Sequence, residues 1–370
     1  MQINNKKILF MVQVPPPIHG AALRNLSLVE SKIINQALHI KLLPLKFAKN
    51  IHDIGKLDIS KIYKTIAYFF NLIKTIFVFK PNAAYFTLSP TGFAFYRDCL
   101  FVLALKICSV KRMYHLRGLG IYNAYTQSKF KATIYKWAFK GAHVICLSKG
   151  HCNDVKGLPY ASLHVVQNGL KKELENVVVK EFGDEIELLF FSNYVQSKGV
   201  LIFIDICEIL INKGYSIKGK LVGANGDLSK EDLEVYITSK KLANKIKVCD
   251  GVFGKEKFKV IEASDIFIFP TYYPQEVFPG VVLEAMQCAK PIITTTTGVI
   301  PEIIDDGING LIAHKKDTAL FVELAESLIN NKKMAMQMGK AARVKYLSRY
   351  TQEIFENNVK DTIINVVELN

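Results

Sequence analysis

Residues 263–312 read ASDIFIFPTYYPQEVFPGVVLEAMQCAKPIITTTTGVIPEIIDDGINGLI. The apolar run 265–269 ends at a proline, a helical pattern begins near Pro279, and a second strand-like run, PIITTTT, follows. A strand, a helix and a second strand in this order are typical of a parallel βαβ unit, whose helix covers one face of the sheet. The stretch therefore predicts an α/β fold built on a parallel sheet.

The same alternation continues along the chain in both directions. Further strand-like runs occur at 6–14, 82–88, 111–116, 143–148, 163–169, 186–194, 216–223 and 246–251, with helical spacing at 21–34 among others. A polar stretch at 170–185 interrupts the series. We therefore predict two tandem Rossmann-like αβα domains, 1–172 and 173–350, facing each other across a cleft. Open parallel sheets bind ligands at the carboxyl ends of their strands, so a ligand is expected in that cleft.

Positive charge is concentrated in the first half of the chain. Residues 1–170 carry 23 Lys and Arg against 5 Asp and Glu, whereas residues 171–370 carry 25 against 28. This asymmetry predicts a polyanionic partner, which would be a nucleic acid, an anionic membrane surface or a phosphorylated substrate. No helix-turn-helix, OB or RRM pattern accompanies the charge, so a nucleic acid is disfavoured.

The segment 59–80, ISKIYKTIAYFFNLIKTIFVFK, is the most membrane-like part of the sequence. Lys61, Lys64 and Lys74 interrupt it, so a spanning helix is disfavoured. Its spacing predicts an amphipathic helix packed on the sheet, or a helix that also contacts a membrane surface. The first residues read as a strand rather than a secretory signal, and the seven cysteines form no CxxC pair, which favours a cytoplasmic protein with reduced thiols.

Two glutamates flank the loop and helix of the opening stretch. Glu276 is on the loop, whereas Glu284 is inside the apolar helical run, where a charge costs several kcal/mol unless it is paired. A helix that begins near Gly280 would direct free N–H groups toward an anion at the same end. Vicinal sugar hydroxyls would stabilise the ionised carboxylates. The pattern predicts a site for a sugar joined to a phosphate.

The complete run resembles the family 4 glycosyltransferases, which have the GT-B fold. The matching residues are Glu276 and Glu284 with seven residues between them, Pro291, Gly298, Pro301-Glu302 and Asn309-Gly310-Leu311. Upstream, LLFFSNYVQSKGV at 188–200 resembles the family's first strand and phosphate loop of the second domain. KRMYHLRG at 111–118 resembles the strand that ends in a histidine touching the donor sugar, and PPPIHG at 15–20 the first strand–helix loop.

The resemblance implies a retaining transfer of a sugar from a nucleotide diphosphate sugar, with UDP favoured, to a hydroxyl acceptor. Glu276 would support charge at the anomeric centre, Glu284 would hold the ribose, and Lys198 would stabilise the diphosphate. The catalytic candidates are Glu276, His115 and Lys198, and the donor-binding candidates are Gly20, Asn193, Lys198, Phe278, Pro279, Gly280, Val281, Val282 and Glu284. Neither a metal nor another cofactor is expected, because there is no D-x-D motif. Many relatives have an arginine at the position of Asn193, and Arg117 is a weaker candidate for a phosphate contact.

The resemblance also bears on the end of the chain and on the acceptor. It implies that the domain 1–172 binds the acceptor and that the domain 173–350 binds the nucleotide sugar. The segment 351–370 is expected to form a helix that crosses back to the first domain. The basic first half favours a lipid-diphosphate-linked saccharide as acceptor, in bacterial surface polysaccharide biosynthesis at the inner face of the plasma membrane. Two alternatives stay open: a catalytically silent subunit that binds a sugar nucleotide, and another GT-B activity such as a UDP-sugar epimerase.

Overall fold

The structure, a computed structural model, describes residues 6–17, 20–47 and 59–369, with side chains from residue 62 onward in the last range. Ile18 and His19 of the loop at 15–20, and the side chain of Lys61, lie outside the described residues. The chain divides into two compact units: unit 1 is Met1–Gly169 with Gln352–Asn370, and unit 2 is Leu170–Thr351. The sequence placed these two boundaries at 172 and 350.

Unit 1 contains a six-stranded parallel sheet with the strand order β2-β1-β3-β4-β5-β6. Its strands are β1 (Lys7–Met11), β2 (His39–Leu42), β3 (Ala83–Phe86), β4 (Lys111–His115), β5 (His143–Cys146) and β6 (Ser162–Val165). Its helices up to β6 are α1 (Gly20–Glu30), α2 (Lys32–Ala37), α3 (Ile59–Phe79), α4 (Gly92–Ile107), α5 (Ile121–Thr126) and α6 (Lys129–Phe139). The central strands are buried on both faces, as parallel sheets require.

Alternate residues of these strands contribute to two separate apolar clusters, because successive side chains of a strand point to opposite faces. Leu9 and Tyr114 belong to the cluster that includes side chains of α3, α4 and α6. Phe10 and Met113 belong to the other cluster, with side chains of α1 and α2. Helices therefore cover both faces of the sheet.

Unit 2 repeats the architecture with the strand order β12-β11-β10-β7-β8-β9, again entirely parallel. Its strands are β7 (Ile186–Phe191), β8 (Ile217–Gly223), β9 (Ile246–Asp250), β10 (Ile266–Ile268), β11 (Ile292–Thr295) and β12 (Leu311–Ala313). Its helices are α7 (Val200–Asn212), α8 (Lys230–Ser239), α9 (Glu256–Ala263), α10 (Gly280–Gln287), α11 (Ile300–Ile303), α12 (Thr318–Asn330) and α13 (Lys332–Arg349). The stretch 263–312 thus forms β10, α10, β11, α11 and the start of β12, which confirms the predicted parallel sheet.

After unit 2 the chain continues as α14 (Gln352–Glu368), which belongs to unit 1. Phe355, Val359, Ile363 and Val366 of α14 are buried in the cluster that contains Phe10. At the boundary, Leu170 pairs with Thr351 in an isolated parallel bridge, and its N–H donates to the carbonyl of Tyr350 at 2.9 Å. The residues where the chain enters and leaves unit 2 are therefore neighbours.

The predicted helix at 21–34 is two helices in the structure. Ser31 is the N-cap of α2, and its hydroxyl accepts a hydrogen bond from the N–H of Ile34 at 3.2 Å. The same hydroxyl donates to the buried carboxylate of Glu356 in α14 at 2.6 Å. A serine that caps one helix and contacts another breaks the apolar spacing that the sequence suggested, so the prediction of one helix was wrong.

Candidate functional site

Glu284 lies in the middle of α10 and is 8% exposed. Its Oε1 is 2.5 Å from Nζ of Lys257 in α9. The sequence predicted that this carboxylate needs a partner, and the partner in the structure is an ammonium on the neighbouring helix. Lys257 was not among the predicted residues, because nothing in the sequence links position 257 to a helix 27 residues later.

Glu276 lies on the loop between β10 and α10 and is 9% exposed. Its Oε2 is 3.5 Å from Nζ of Lys198 and has no hydrogen-bond partner. The distance is that of an ion pair rather than a short hydrogen bond. Nζ of Lys198 also lies 5.6 Å from the centre of the Tyr273 ring. The structure therefore brings together Glu276 and Lys198, two of the predicted catalytic residues.

The turn that carries Lys198 is fixed to the loop after β10. Gly199, which follows the 3₁₀ turn Gln196–Lys198, has φ +87°, and a Cβ there would lie 2.3 Å from the carbonyl oxygen of Pro270. In addition, the N–H of Tyr272 donates to the carbonyl of Ser197 at 2.8 Å. Only glycine satisfies both the backbone conformation and the close approach, which explains the glycine after Lys198.

The turn that begins at Gly298 and leads to Pro301-Glu302 supports the loop that carries Glu276. Gly298 has φ +59°, and a Cβ there would lie 2.0 Å from the backbone carbonyl oxygen of Glu276. The next N–H, from Val299, donates to the carbonyl of Val277 at 3.2 Å. The backbone of Glu276 and Val277 therefore rests directly on this turn, so a glycine far along the chain fixes the position of a candidate catalytic carboxylate.

The N-G-L motif has a structural function in unit 2. The side-chain oxygen of Asn309 accepts from the N–H of Asp305 at 2.6 Å, and its nitrogen donates to the carbonyl of Ile303 at 3.1 Å. Both contacts close the loop between α11 and β12. The motif therefore organises the fold next to β11 rather than adding a polar group to the site.

The predicted anion-binding residues lie at the start of α10. Pro279 is the N-cap, and the first helical residues, Gly280 and Val281, are half-buried. The N–H of Val282 donates to the carbonyl of Pro279 at 3.3 Å. The first N–H groups of an α-helix have no intrahelical acceptor, so this end can bind an anion. Phe278 contacts Tyr350 with ring centres 6.1 Å apart, which holds the loop before the helix.

Asn193 lies just after β7 and is exposed, and its carbonyl accepts from the N–H of Val195 at 2.8 Å. Gly20 is the first residue of α1 in unit 1, and a Cβ added there would have open space around it among the described residues. Within unit 2, Asn193 has no hydrogen bond or ion pair with Lys198, Lys257, Glu276 or Glu284 among the described residues. Their roles in donor binding stay predictions.

His115 ends β4 in unit 1 and is completely buried. Its Nδ1 lies within hydrogen-bond distance of the Tyr85 hydroxyl, and its ring contacts Phe355 of α14 with centres 6.5 Å apart. Burial, and then the charge of Arg117, lower the pKa of His115 well below its ordinary value, so the imidazole is neutral. Its Nε2 is buried and has no hydrogen-bond partner. The predicted contact of His115 with a donor sugar stays a prediction.

Arg117 lies two residues beyond β4. Its Nη1 donates to the side-chain oxygen of Asn168, and its guanidinium is 5.5 Å from the centre of the Phe355 ring. Its Nε and Nη2 are buried without a hydrogen-bond partner. No carboxylate pairs with this guanidinium among the salt bridges of the described residues. Burial lowers the pKa of Arg117, against an opposing interaction with the Tyr85 hydroxyl. A guanidinium with two buried nitrogens that lack an acceptor is suited to an anionic ligand.

In the part of the chain that the structure describes, no three His, Cys, Asp or Glu side chains gather as a possible metal site. All seven cysteines lie in this part and are free. The prediction of a metal-independent reaction is therefore still to be tested.

The fold and the site together define a class. Two parallel six-stranded α/β units, with buried glutamates after a strand of the second unit, correspond to the GT-B fold of glycosyltransferases. A structure of HepE from Anabaena in complex with UDP has a TM-score of 0.74 at 16% identity, and the match covers 97% of this chain and all of that one. The same protein has also been solved with UDP-glucose. At this identity the likeness concerns the fold, and it confirms the predicted fold class.

Residues 171–345 match the family described as glycosyl transferases group 1. The match lies entirely within unit 2, where the sequence motifs also predicted a glycosyltransferase domain.

Two curated relatives show how far the likeness extends along the chain. The first is an uncharacterized glycosyltransferase of Methanocaldococcus jannaschii, 28% identical over 67% of this chain and 66% of that protein. The second is a capsular polysaccharide biosynthesis glycosyltransferase of Staphylococcus aureus, 25% identical over 49% of this chain and 47% of that protein. The matched segments thus span about two thirds of the first relative and about half of the second.

Proposed function

We propose that the protein transfers a sugar from a nucleotide diphosphate sugar to a hydroxyl group of a saccharide acceptor, with retention of the anomeric configuration. The observation that carries this proposal is the arrangement after β10 in unit 2: two buried glutamates, Glu276 and Glu284, each beside a lysine. A UDP-sugar is the favoured donor, because the structurally similar HepE binds UDP and UDP-glucose.

Three of the four partners in the two ion pairs have a role in donor binding. Glu284 accepts hydrogen bonds from the ribose hydroxyls, which replace part of its contact with Lys257. Lys198 and the first N–H groups of α10 stabilise the negative charge of the diphosphate. Glu276, with an oxygen that has no hydrogen-bond partner, accepts from hydroxyls of the donor sugar and stabilises positive charge at the anomeric carbon.

The reaction breaks the bond between the anomeric carbon and the phosphate oxygen and forms a bond to the acceptor oxygen on the same face. The leaving phosphate oxygen takes the proton of the acceptor hydroxyl, so the reaction needs no enzyme base. We assign none to the chain. Lys198 promotes departure because it compensates charge on the diphosphate as the bond breaks.

The acceptor is a lipid-diphosphate-linked saccharide in bacterial surface polysaccharide biosynthesis, and the protein acts in the cytoplasm at the inner face of the membrane. Two observations support this part of the proposal. The relative from Staphylococcus aureus acts in capsular polysaccharide biosynthesis, and the first 170 residues carry 23 basic against 5 acidic residues.

Thermal unfolding with UDP-, GDP- and ADP-sugars tests the donor. A ligand at 100 times its dissociation constant should add roughly 2.7 kcal/mol to the unfolding free energy. Glu284→Ala should remove most of this stabilisation, since charge-assisted hydrogen bonds contribute roughly 1.5–3 kcal/mol each, whereas the exposed Glu323→Ala should not. A protein that responds to none of the three nucleotide sugars would contradict the proposal.

Product analysis with and without acceptor separates the transferase from its alternatives. Turnover of the donor to a different nucleotide sugar without acceptor would identify an epimerase. Binding without any turnover in the presence of lipid-linked acceptors would identify a silent nucleotide-sugar-binding subunit. Asn193 supports this last alternative, because many relatives have an arginine at this position of the phosphate loop.

A further inference from the structure

Three helices form one layer over the sheet of unit 1. α3 packs against α4, and α4 packs against α6. Their inner sides are buried in the same apolar cluster, with Leu72 of α3, Phe101 of α4 and Phe139 of α6 as members. The outer sides of these three helices therefore form one continuous surface of unit 1, which we call the α3–α4–α6 face.

The α3–α4–α6 face is apolar where a solvated helix surface would be polar. On α4 the exposed large apolar residues are Phe93, Tyr96, Leu100, Leu103 and Ile107, which are 36% to 71% exposed. On α3 they are Ile62, Tyr63, Ile66, Phe70, Phe77 and Val78, which are 51% to 76% exposed. With Phe130 and Trp137 of α6, this face holds 13 of the 23 exposed large apolar residues in the described part of the chain.

The spacing on α4 is regular: its exposed apolar residues recur every three or four positions and form a stripe along one side of the helix. The opposite side of α4, with Phe95, Val102 and Leu105, is already buried against the sheet. The helix is thus apolar on two sides. A second apolar side on a surface helix predicts an apolar partner, because exposed patches of this extent mark interaction sites.

The charges around the face have a single sign. α3, α4 and α6 contain eight Lys and Arg and one acidic residue, Asp98. Asp98 is buried and paired with Arg97 at 2.7 Å, so it contributes no negative charge to the surface. Nζ of Lys106 lies over the Trp137 ring at 4.5 Å, and burial together with nearby Arg112 and Lys140 lowers the pKa of Lys106 to about 8. Among the described residues, no salt bridge pairs a lysine of α3, α4 or α6 with a carboxylate.

We propose that the α3–α4–α6 face docks on an anionic lipid bilayer, with its apolar side chains in the headgroup region and its lysines on the acidic headgroups. This is the partner whose chemistry matches both features, since it offers an apolar layer beneath a layer of negative charge. A second copy of this chain would offer the same apolar stripe but would bring two sets of cations together, which is unfavourable.

The helices lie on the bilayer and do not cross it. Among the described residues, one stretch, Ile62–Phe79 of α3, is long and apolar enough to span a membrane by length and composition. However, Leu72 and Ile76 of α3 are buried in the core of unit 1, and the hydroxyl of Tyr68 donates to the carbonyl of Leu43 at 3.0 Å. Insertion across a bilayer would remove these contacts, so α3 contributes only its outer side to the membrane.

Vesicle flotation of the whole protein, without donor or acceptor, tests the proposal. The vesicles contain phosphatidylcholine alone or phosphatidylcholine with phosphatidylglycerol, each at low and high salt. Binding is expected only with phosphatidylglycerol, and it should weaken at high salt because salt screens the charges. Lys64→Gln with Lys74→Gln should reduce the partition coefficient about 25-fold, at about fivefold per lysine. Phe70→Ser with Phe77→Ser should reduce binding at both salt concentrations.

Matched variants in unit 2 serve as controls. Lys333→Gln with Lys340→Gln removes two exposed lysines, and Val235→Ser with Val344→Ser removes two exposed apolar side chains. Both control proteins should bind vesicles as the unmodified protein does. Thermal unfolding of every variant shows that it is folded. Equal binding by face and control variants, or no binding to phosphatidylglycerol vesicles at low salt, would overturn the proposal.

Sedimentation analysis tests whether the α3–α4–α6 face instead joins two copies of the chain. If Phe70→Ser with Phe77→Ser lowers the sedimentation mass of the protein without lipid, the face joins copies of the chain and the membrane proposal is wrong.

The inference rests on the proposed function only for the location of the acceptor. Nucleotide-sugar stabilisation of the face variants, which should equal that of the unmodified protein, reports on the donor site independently of vesicle binding.

Discussion

At the scale of single residues, the carboxylates of the two glutamates after β10 differ in how completely they are paired in the folded protein. Glu284 contacts Lys257 at 2.5 Å, whereas Glu276 is 3.5 Å from Lys198 and has one oxygen without a hydrogen-bond partner. If the proposed function is correct, the unpaired oxygen of Glu276 is free to accept a hydrogen bond from the donor sugar, and such preorganised groups stabilise charge during a reaction.

Glu276→Gln should therefore separate catalysis from binding. Glutamine keeps the shape of the side chain and removes its charge, so we expect the transfer rate to fall by roughly 100-fold or more. Stabilisation of the protein by nucleotide should persist, because Lys198, Glu284 and the start of α10 are unchanged. Steady-state transfer assays and thermal unfolding with UDP-sugar measure the two effects. Transfer at the unmodified rate would show that Glu276 is not the residue that supports the anomeric charge.

A second prediction concerns Arg117, whose replacement should weaken ligand binding without lowering the unfolding free energy. Arg117→Gln removes a guanidinium whose Nε and Nη2 are buried and unpaired, so the unfolding free energy without ligand should stay equal or rise. If the guanidinium binds a phosphate of a substrate, affinity for that substrate should fall roughly 10- to 100-fold. Calorimetric titration with nucleotide sugar and with phosphorylated acceptor identifies which one is affected.

Arg112→Gln is the control for Arg117→Gln, because Arg112 is at the opposite end of the same strand, β4, and also has buried unpaired nitrogens. It should not change either affinity. A loss of affinity that is equal in both variants, or absent from both, would exclude a specific contact between Arg117 and a phosphate.

The sequence predicted some of these residues and contacts but not others, for a physical reason. Glu276, Glu284 and Lys198 belong to contiguous motifs, so a resemblance to a family could find them. Lys257 and Asn168 act through contacts with residues 27 and 51 positions away, and only the packing of helices and strands brings such pairs together. No local pattern marks these contacts. The burial of His115 was likewise beyond the sequence, since it depends on α14.

At the scale of elements, the turn that begins at Gly298 supports the loop that carries Glu276. In Gly298→Ala, the new methyl group would meet the carbonyl oxygen of Glu276, which lies 2.0 Å from the Cβ position, in a backbone conformation with φ +59°. The loop must move, so we expect transfer to fall at least tenfold and the unfolding free energy to fall by a few kcal/mol. Gly183→Ala, in an open loop with its nearest atom at 3.8 Å, should change neither quantity. Full activity of Gly298→Ala would show that the loop tolerates displacement.

The end of α9 contacts a lysine that should make stability depend on pH. Buried Lys290 donates to the carbonyls of Glu262 and Ser264 at 2.7 and 2.6 Å, and burial lowers its pKa from 10.5 to about 8. Between these values the unfolded chain binds more protons at this residue than the folded protein does. The contribution of Lys290 to stability therefore increases as the pH rises through this range.

Lys290→Met removes this titration and leaves the other groups in place. Relative to the variant, the unmodified protein should gain roughly 3 kcal/mol of unfolding free energy between pH 8 and pH 10.5. Denaturant unfolding of both proteins at the two pH values gives the difference directly. A difference that does not change with pH would mean that Lys290 has an ordinary pKa in the folded protein.

The main strands were predictable because each is a short apolar run followed by a loop. β2, β12, α5, α6, α11 and α13 were not predicted. β2 is at the edge of the sheet and alternates exposed with half-buried residues, so it lacks the continuous apolar run of the central strands. α6 and α13 are rich in lysine and polar residues, and their positions depend on the elements that they cover.

At the scale of the whole molecule, unit 1 depends on the last helix of the chain. α14 contributes Phe355, Val359, Ile363 and Val366 to the apolar cluster on one face of the sheet. Burial of four such side chains stabilises a domain by roughly 6–12 kcal/mol, which is comparable to the total stability of most domains. A protein that ends at Thr351 should therefore keep a folded unit 2 but lose cooperative folding of unit 1.

Hydrogen exchange followed by proteolysis and mass spectrometry measures the two units separately in the truncated protein. Amides of β1, β3 and β4 should lose protection, whereas those of β7 and β8 should keep it. A protein that ends at Glu368 is the control, since it keeps all four apolar side chains of α14. Full protection of β1 in the protein that ends at Thr351 would show that the helix is dispensable.

The bridge between Leu170 and Thr351 has a consequence for how such proteins diversify. Because the entry and exit residues of unit 2 are hydrogen-bonded neighbours, unit 2 is an insertion whose two ends meet. A genetic exchange with crossover points at these two positions would replace the whole insertion and leave the sheet and closing helix of unit 1 intact. New combinations of the two units can then arise by recombination, without the gradual redesign of either one.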